Sequence, residues 1–398
     1  MSGDIVNTWL ALPALLGIAL VTTQSSSAQG GLPDWQARCE AAADGNQPKE
    51  AVRRLAARVE RRIDLPGSAR LLGAEWNYRT SQLILLDAED RQLLTLDTAG
   101  RVRSKVARPG EGPGELLLSP VYIGSRQKFR SDSGHRILVL DDRRAQIFDG
   151  NQLSRQVRLD SLAPALGTDA HVARTQHGWL VSLARRGQPD MNGQSQVRLF
   201  LIQDTPPSPQ ATLIAFVRNV LSEHGASGGS ITSDYPYDRL FRRTWDASGL
   251  TVAILAYRRF AICFHPLAEA DSWRAWILTA PPRKVDAAER DRVLRERFGR
   301  SSGPVPMAGG RIEDVYKGKW PDYGPFYYDL TALTGTLYAA LRLDAGPGVA
   351  ADFFDVVRGY RGTVTVPAER TVLGGYANGL LLLDFQNSAV ELLRVEQE

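Results

Sequence analysis

The side chains of this chain best suited to chemistry are five histidines, two cysteines and a scatter of arginines, acids and aromatics. His135, His171, His177, His224 and His265 contain no i, i+4 pair, the spacing that sets two imidazoles on one helical face around zinc. Each reads first as a surface or satisfied core residue, and a metal site collected from distant segments around an axis stays open. No Gly-x-Ser-x-Gly elbow marks a serine nucleophile. The loop Pro109–Glu115 carries Gly110, Gly112 and Gly114 but not the Lys-Ser/Thr of a phosphate loop, and Glu111 and Glu115 would repel an anion. It reads as a tight structural turn. Asp141, Asp142, Asp286 and Asp291 lack calcium-loop spacing. Two cysteines cannot build a thiolate zinc site. Cys39 and Cys263 either form one disulfide in an oxidising compartment or stay two buried thiols.

Any such groups must be positioned by a body of 398 residues with 43% apolar and 23% charged content, enough for a large core. A formal charge of +4 spread among acids, with no basic stripe interleaved with aromatics, argues against nucleic acid as partner. Residues 1–28 stand apart. Trp9 to Val21 is an unbroken apolar run, followed by polar residues and the small-residue site Ser26-Ser27-Ala28. A helix of that length spans about 20 Å against a bilayer core of roughly 30 Å, so the run reads as a signal-peptide core rather than a membrane span. Asp4 and the lack of Lys or Arg ahead of it depart from the usual pattern. The expected location is periplasmic or secreted, with no transmembrane span in the mature chain.

From residue 29 to 62 the spacing of Trp35, Cys39, Ala51, Leu55 and Val59 predicts a helical segment. Residues 63–398 then read as short strands separated by Gly, Asp, Asn and Pro, the pattern of an all-β fold. An internal repeat narrows the choice. Leu83-Ile84-Leu85-Leu86-Asp87 with Gln92-Leu93 recurs as Ile137-Leu138-Val139-Leu140-Asp141 with Gln146-Ile147, and more loosely as Leu380 to Asp384 with Val390. Each copy is a buried strand, an Asp-led turn and a second strand, and the first two are separated by about one propeller blade. The expectation is a β-propeller, six-bladed, with blades near 69–107, 119–160, 168–217, 238–279, 322–366 and 370–396. The last blade lacks a strand, which the segment near Arg62–Leu65 would supply. A helical insertion at about 281–319 interrupts the series, with Asp286 as N-cap and Glu289 three residues on.

The crossing segment Gly100 to Glu115 and the run from Pro325 through Phe353-Phe354-Asp355 to Leu393 resemble the bacterial six-bladed propellers related to NHL-repeat and TolB-like proteins. Blades three and four lack the Leu-Asp turn. The resemblance implies fold far more than function. Polar and aromatic residues also stand where innermost strands should begin or end: Asn77, Tyr78, Arg79, His171, Arg174, Arg242, Arg243, Trp245, Tyr327, Asp329, Tyr376 and Asn378. The ligand-binding candidates among them are Asn77, Arg79, His171, Arg174, Arg242, Tyr327 and Asp329, with Arg174, Arg242 and Tyr327 expected to converge on a positive rim. The functional expectation is a monomeric binding or interaction module for a small molecule, peptide or envelope protein, with no cofactor. The alternative is a lactonase-like hydrolase or a lyase with a divalent metal on the central axis.

Overall fold

The computed structural model describes residues 41–42, 49–65, 71–87, 89–117, 129–132, 135–141, 144–159, 171–175, 178–184, 195–203, 211–219, 241–245, 250–255, 260–266, 274–279, 284–298, 311, 320, 322, 329–333, 337–343, 349–367, 369–384 and 386–396. Residues 1–28, read above as a signal peptide, and Cys39 and Tyr327 lie outside them.

Six antiparallel sheets follow one another in a propeller-like arrangement. Sheet I comprises Leu71–Asn77, Gln82–Asp87, Gln92–Leu96 and Val102–Val106; sheet II comprises Phe129–Ser131, Arg136–Leu140, Arg144–Asp149 and Gln152–Arg158. Sheet III holds His171–Thr175, Gly178–Ala184, Ser195–Gln203 and Ala211–Asn219. Sheet IV holds Phe241–Trp245, Leu250–Leu255, Phe260–Pro266 and Arg274–Thr279. Sheet V runs through Asp329–Ala332, Leu337–Leu343, Val349–Asp355 and Gly359–Val366, and sheet VI through Arg370–Tyr376, Gly379–Asp384 and Ala389–Val395.

The middle strands of sheets I, II, V and VI are largely apolar on both faces, because each of these sheets packs against two others. Ile84, Leu86, Leu93 and Val106 of sheet I pack against Phe129, Ile137, Val139 and Phe148 of sheet II. Leu138, Ala145 and Val157 of sheet II meet Trp179, Val181 and Phe200 of sheet III. Sheets IV and V share Phe264, Tyr338 and Phe354, and sheets V and VI share Phe353, Val364, Leu380 and Leu382. Leu83, Leu85 and Leu94 of sheet I close against Leu381, Leu383 and Val390 of sheet VI. The first strands lie innermost and approach one another in turn around the arrangement. At Gly374 and Gly375 the approach leaves no room for a side chain. A Cβ on Gly375 would sit 2.5 Å from the carbonyl oxygen of Ala332 in sheet V, and one on Gly374 would sit 3.0 Å from that of Ala74 in sheet I.

The repeated Asp residues end the strands they were read from. Asp87 accepts the N–H of Glu89 at 3.0 Å, Asp384 those of Gln386 and Asn387 at 3.1 and 3.2 Å, and Asp141 that of Arg144 at 2.8 Å. Asp355 does the same for Val357 and Arg358, at 2.8 and 2.9 Å. The Gly-rich loop is likewise structural. Arg144 donates to the carbonyls of Glu111, Gly112 and Glu115, while the Glu115 carboxylate accepts the Gly112 N–H at 2.7 Å.

The helical reading of residues 29–62 needs correction. Only 41–42 are helical among the described residues of that stretch; Lys49–Ala51 and Ala57–Asp64 are strands. The segment runs along the outer edges of three consecutive sheets. Lys49–Ala51 adds a parallel fifth strand to Ile277–Thr279 of sheet IV. Arg54 then bridges Thr363 of sheet V, with the Leu55 N–H on the Thr363 carbonyl at 2.8 Å and the Thr363 N–H on the Arg53 carbonyl at 2.7 Å. Ala57–Asp64 finally becomes the outermost strand of sheet VI, paired from Ala57↔Val395 to Asp64↔Ala389. Propagating a helix there would leave the edge of 389–395 unpaired, and that tertiary demand overrides local spacing. Within sheet IV, Cys263 is buried and disulfide-bonded.

The insertion holds helix α1, Ala287–Phe298, capped by the Glu289 N–H on the Asp286 carboxylate at 2.9 Å. No described helix is long and apolar enough to cross a membrane.

Candidate functional site

The chain closes where sheet VI meets sheet I, and there the strand ends gather aromatic rings and guanidinium groups. Tyr376 ends the first strand of sheet VI. Its cross-strand partner is Gly379, whose own neighbour is Arg394, so nothing bulky stands between the phenol and the sheet's outer strand. The Tyr376 hydroxyl donates to Glu60 at 3.0 Å, and Glu60 lies at the irregularity in register between Val59 and Arg61. Burial, then the adjacent Glu60 carboxylate, pushes the Tyr376 phenol up from its ordinary value, so it stays a donor. Arg394 lies 3.6 Å from Glu60 on the other side.

From sheet I, Trp76 meets Tyr376 edge-on, with centroids 5.7 Å apart, and Tyr78 stacks on it at 6.0 Å and 18°. Arg61 places its guanidinium carbon 6.0 Å from the Trp76 ring. Tyr78 is 46% exposed, unusual for a large aromatic held in a stack. The turn that presents it is built by Asn77, which is buried and accepts the N–H groups of Arg79 and Thr80 at 3.0 and 3.2 Å. Asn77 thus shapes the ledge from beneath, and Arg79 is exposed beside it.

A second charged feature sits between the first strands of sheets I and II. Glu75 accepts the Ser131 N–H at 2.7 Å and faces Arg130 at 3.5 Å. Burial pushes its carboxyl up from the usual range, and Arg130 and Ser131 oppose that rise. The clue in the sequence is a carboxylate inside an otherwise apolar strand, Leu71–Asn77.

Six of the seven candidate ligand-binding residues divide between the two ends of the first strands. Asn77 and Arg79 lie at the turn that follows the first strand of sheet I, and Arg174 lies near the end of His171–Thr175. His171, Arg242 and Asp329 instead fall at the beginnings of theirs. Arg174 and Arg242 therefore sit at opposite ends of their strands, and Tyr327 lies outside the described residues. Arg174 turns back onto its own sheet, 4.9 Å from the ring of its cross-strand partner Trp179. Spacing did not disclose Trp76, Arg61 or Glu60 as neighbours of Tyr376, because two of them come from the outer-edge segment. Among the described residues, no three His, Cys, Asp or Glu side chains group closely enough to hold a metal ion.

No family model matches the chain, and no curated protein does. Solved structures do. A Bacteroides fragilis protein named as a candidate exported protein aligns with a TM-score of 0.50 at 10% identity, over 88% of this chain and 99% of its own. A DUF4221-family member from Bacteroides vulgatus gives 0.48 at 10% identity, over 88% and 100%. The PQQ-bound aldose sugar dehydrogenase of Streptomyces coelicolor gives 0.40 at 11%, again over 88% and 100%. At such identities the likeness speaks to architecture alone, and by architecture the chain stands with the β-propeller proteins.

Proposed function

We propose that this chain is an exported six-bladed propeller that works as a binding module, engaging a peptide or protein loop at the Tyr78–Tyr376 ledge. The observation that carries the reading is an exposed tyrosine held rigid by stacking, with guanidinium groups on both flanking segments. Rigid aromatics lose little entropy on binding, and aromatic–Arg clusters dominate interface energetics. The arginines favour a partner bearing carboxylates. The six sheets, each with its first strand innermost, support six blades in one ring.

A panel of short acidic and neutral peptides, screened by surface plasmon resonance, tests the ledge. Acidic, aromatic-containing members should bind, and Tyr78→Ala should weaken them about tenfold or more, the cost of losing one good contact of roughly 1.5–2 kcal/mol. Binding that ignores Tyr78→Ala and Arg79→Ala would remove the ledge as the site. The axial-metal reading has its own check: one tightly held divalent ion per purified chain, by elemental analysis, would favour the hydrolase or lyase class.

Export and the disulfide share one measurement. Cys39 is the chain's only other cysteine, and we assign it as the partner of Cys263. Non-reducing intact mass of the mature protein should show cleavage after Ala28 and no free thiol to alkylate. A full-length chain with two alkylatable cysteines would argue against both.

A further inference from the structure

A second binding site lies away from the ledge, under the edge segment where it crosses from sheet V to sheet VI. A cleft of about 220 Å³ opens there. Its lining is mixed: the apolar part comes from Leu55 of the crossing segment, Leu337 and Phe353 of sheet V and Val395 of sheet VI, and Asn378 of sheet VI adds a polar side chain that donates to the Val395 carbonyl at 2.7 Å. These side chains belong to or pack against the core shared by the two sheets, so the cleft is the open end of that core. Its rim is cationic. Arg53 and Arg361 both line it beside Glu396, whose carboxylate faces Arg58 at 3.7 Å. The Arg53 guanidinium donates to the Arg361 main-chain carbonyl, which anchors this cation on the outer strand of sheet V.

Three other arginines of the sheets are held differently. Arg342, Arg370 and Arg144 are each neutralised by an acid at 2.7–3.1 Å. Two guanidinium groups against one carboxylate, at the mouth of a cleft floored by Leu55, Leu337, Phe353 and Val395, are a site for a carboxylate on a hydrocarbon body, since a bound carboxylate accepts charge-assisted hydrogen bonds while its chain leaves water. Glu396, also on the rim, disfavours a second negative charge. The volume equals roughly that of seven liquid waters, so the body must be short. We infer that this cleft binds a short-chain organic monocarboxylate, through Arg361 and Arg53, with the edge segment as its roof.

Hexanoate, hexanol, hexylamine and adipate, titrated calorimetrically into the full-length protein, decide it. Hexanoate should bind at least tenfold more tightly than the other three. Arg361→Gln should abolish that preference with the melting temperature unchanged, and Leu337→Trp, which fills the cleft, should eliminate binding of all four. Tyr78→Ala should leave hexanoate binding intact, which separates this site from the ledge. Hexanoate binding no better than hexanol, binding untouched by Arg361→Gln, or no detectable hexanoate binding would each overturn the assignment.

Discussion

Deleting the chain through Leu65 is expected to collapse its thermal stability, whereas deleting only through Ala56 costs markedly less. The longer deletion removes Ala57–Asp64 and leaves the outer edge of Ala389–Val395 unpaired. It also removes the Leu65 N–H on the Ser388 carbonyl and the side chain of Ile63, 1% exposed within the core shared by sheets VI and I. About half a dozen ladder hydrogen bonds near 1 kcal/mol each, with one buried Ile at about 1.5–3 kcal/mol, put the loss of this strand at roughly 7–9 kcal/mol. The shorter deletion removes the pairings to sheets IV and V and the cysteine at 39 but leaves the last sheet four-stranded. Chemical denaturation followed by circular dichroism compares the two. Equal midpoints would mean that the outer strand does not hold the ring shut.

Asp352→Ala should be the most damaging single substitution outside the apolar core. Asp352 is 0% exposed and forms an ion pair with Arg342 at 2.7 Å in the middle of sheet V. It also accepts the Thr363 hydroxyl, and Thr363 in turn contacts the Tyr360 hydroxyl at 2.7 Å, which meets the Arg53 backbone of the edge segment. Removing the carboxylate strands a buried guanidinium, at a cost of about 3–5 kcal/mol. The double variant Arg342→Met, Asp352→Leu should recover much of that loss, because no buried charge is then left without its partner. Urea midpoints for the single and double variants would settle this, and a single variant as stable as the parent would sink the argument.

What the sequence made legible follows from how each element is buried. Strands such as Gln82–Asp87 and Gly379–Asp384 are apolar on both faces and end in an Asp that caps the turn, so pattern and turn chemistry agree. The outer strand Ala57–Asp64 buries only Ile63 fully and leaves its charges in water, which erases the period-two signal and lets chance spacing imitate a helix. The same cause hid half of the ledge. Tyr78 and Tyr376 were legible as aromatics at strand ends, but Glu60 meets Tyr376 across 316 residues of sequence, through a closure that no local pattern encodes. Arg174 and Arg242 looked alike in type yet fall at opposite ends of their strands, because residue type does not report position along the axis.

The outer strand of sheet VI also imposes an order in time. Ala57–Asp64 is made about 300 residues before its pairing partner Ala389–Val395. At ordinary rates of translation the early segment waits on the order of tens of seconds. During that interval an apolar strand would recruit other nascent chains along its open edge. Arg58, Glu60, Arg61, Arg62 and Asp64 keep the waiting segment hydrated, and Ile63 is the one side chain it buries fully on pairing.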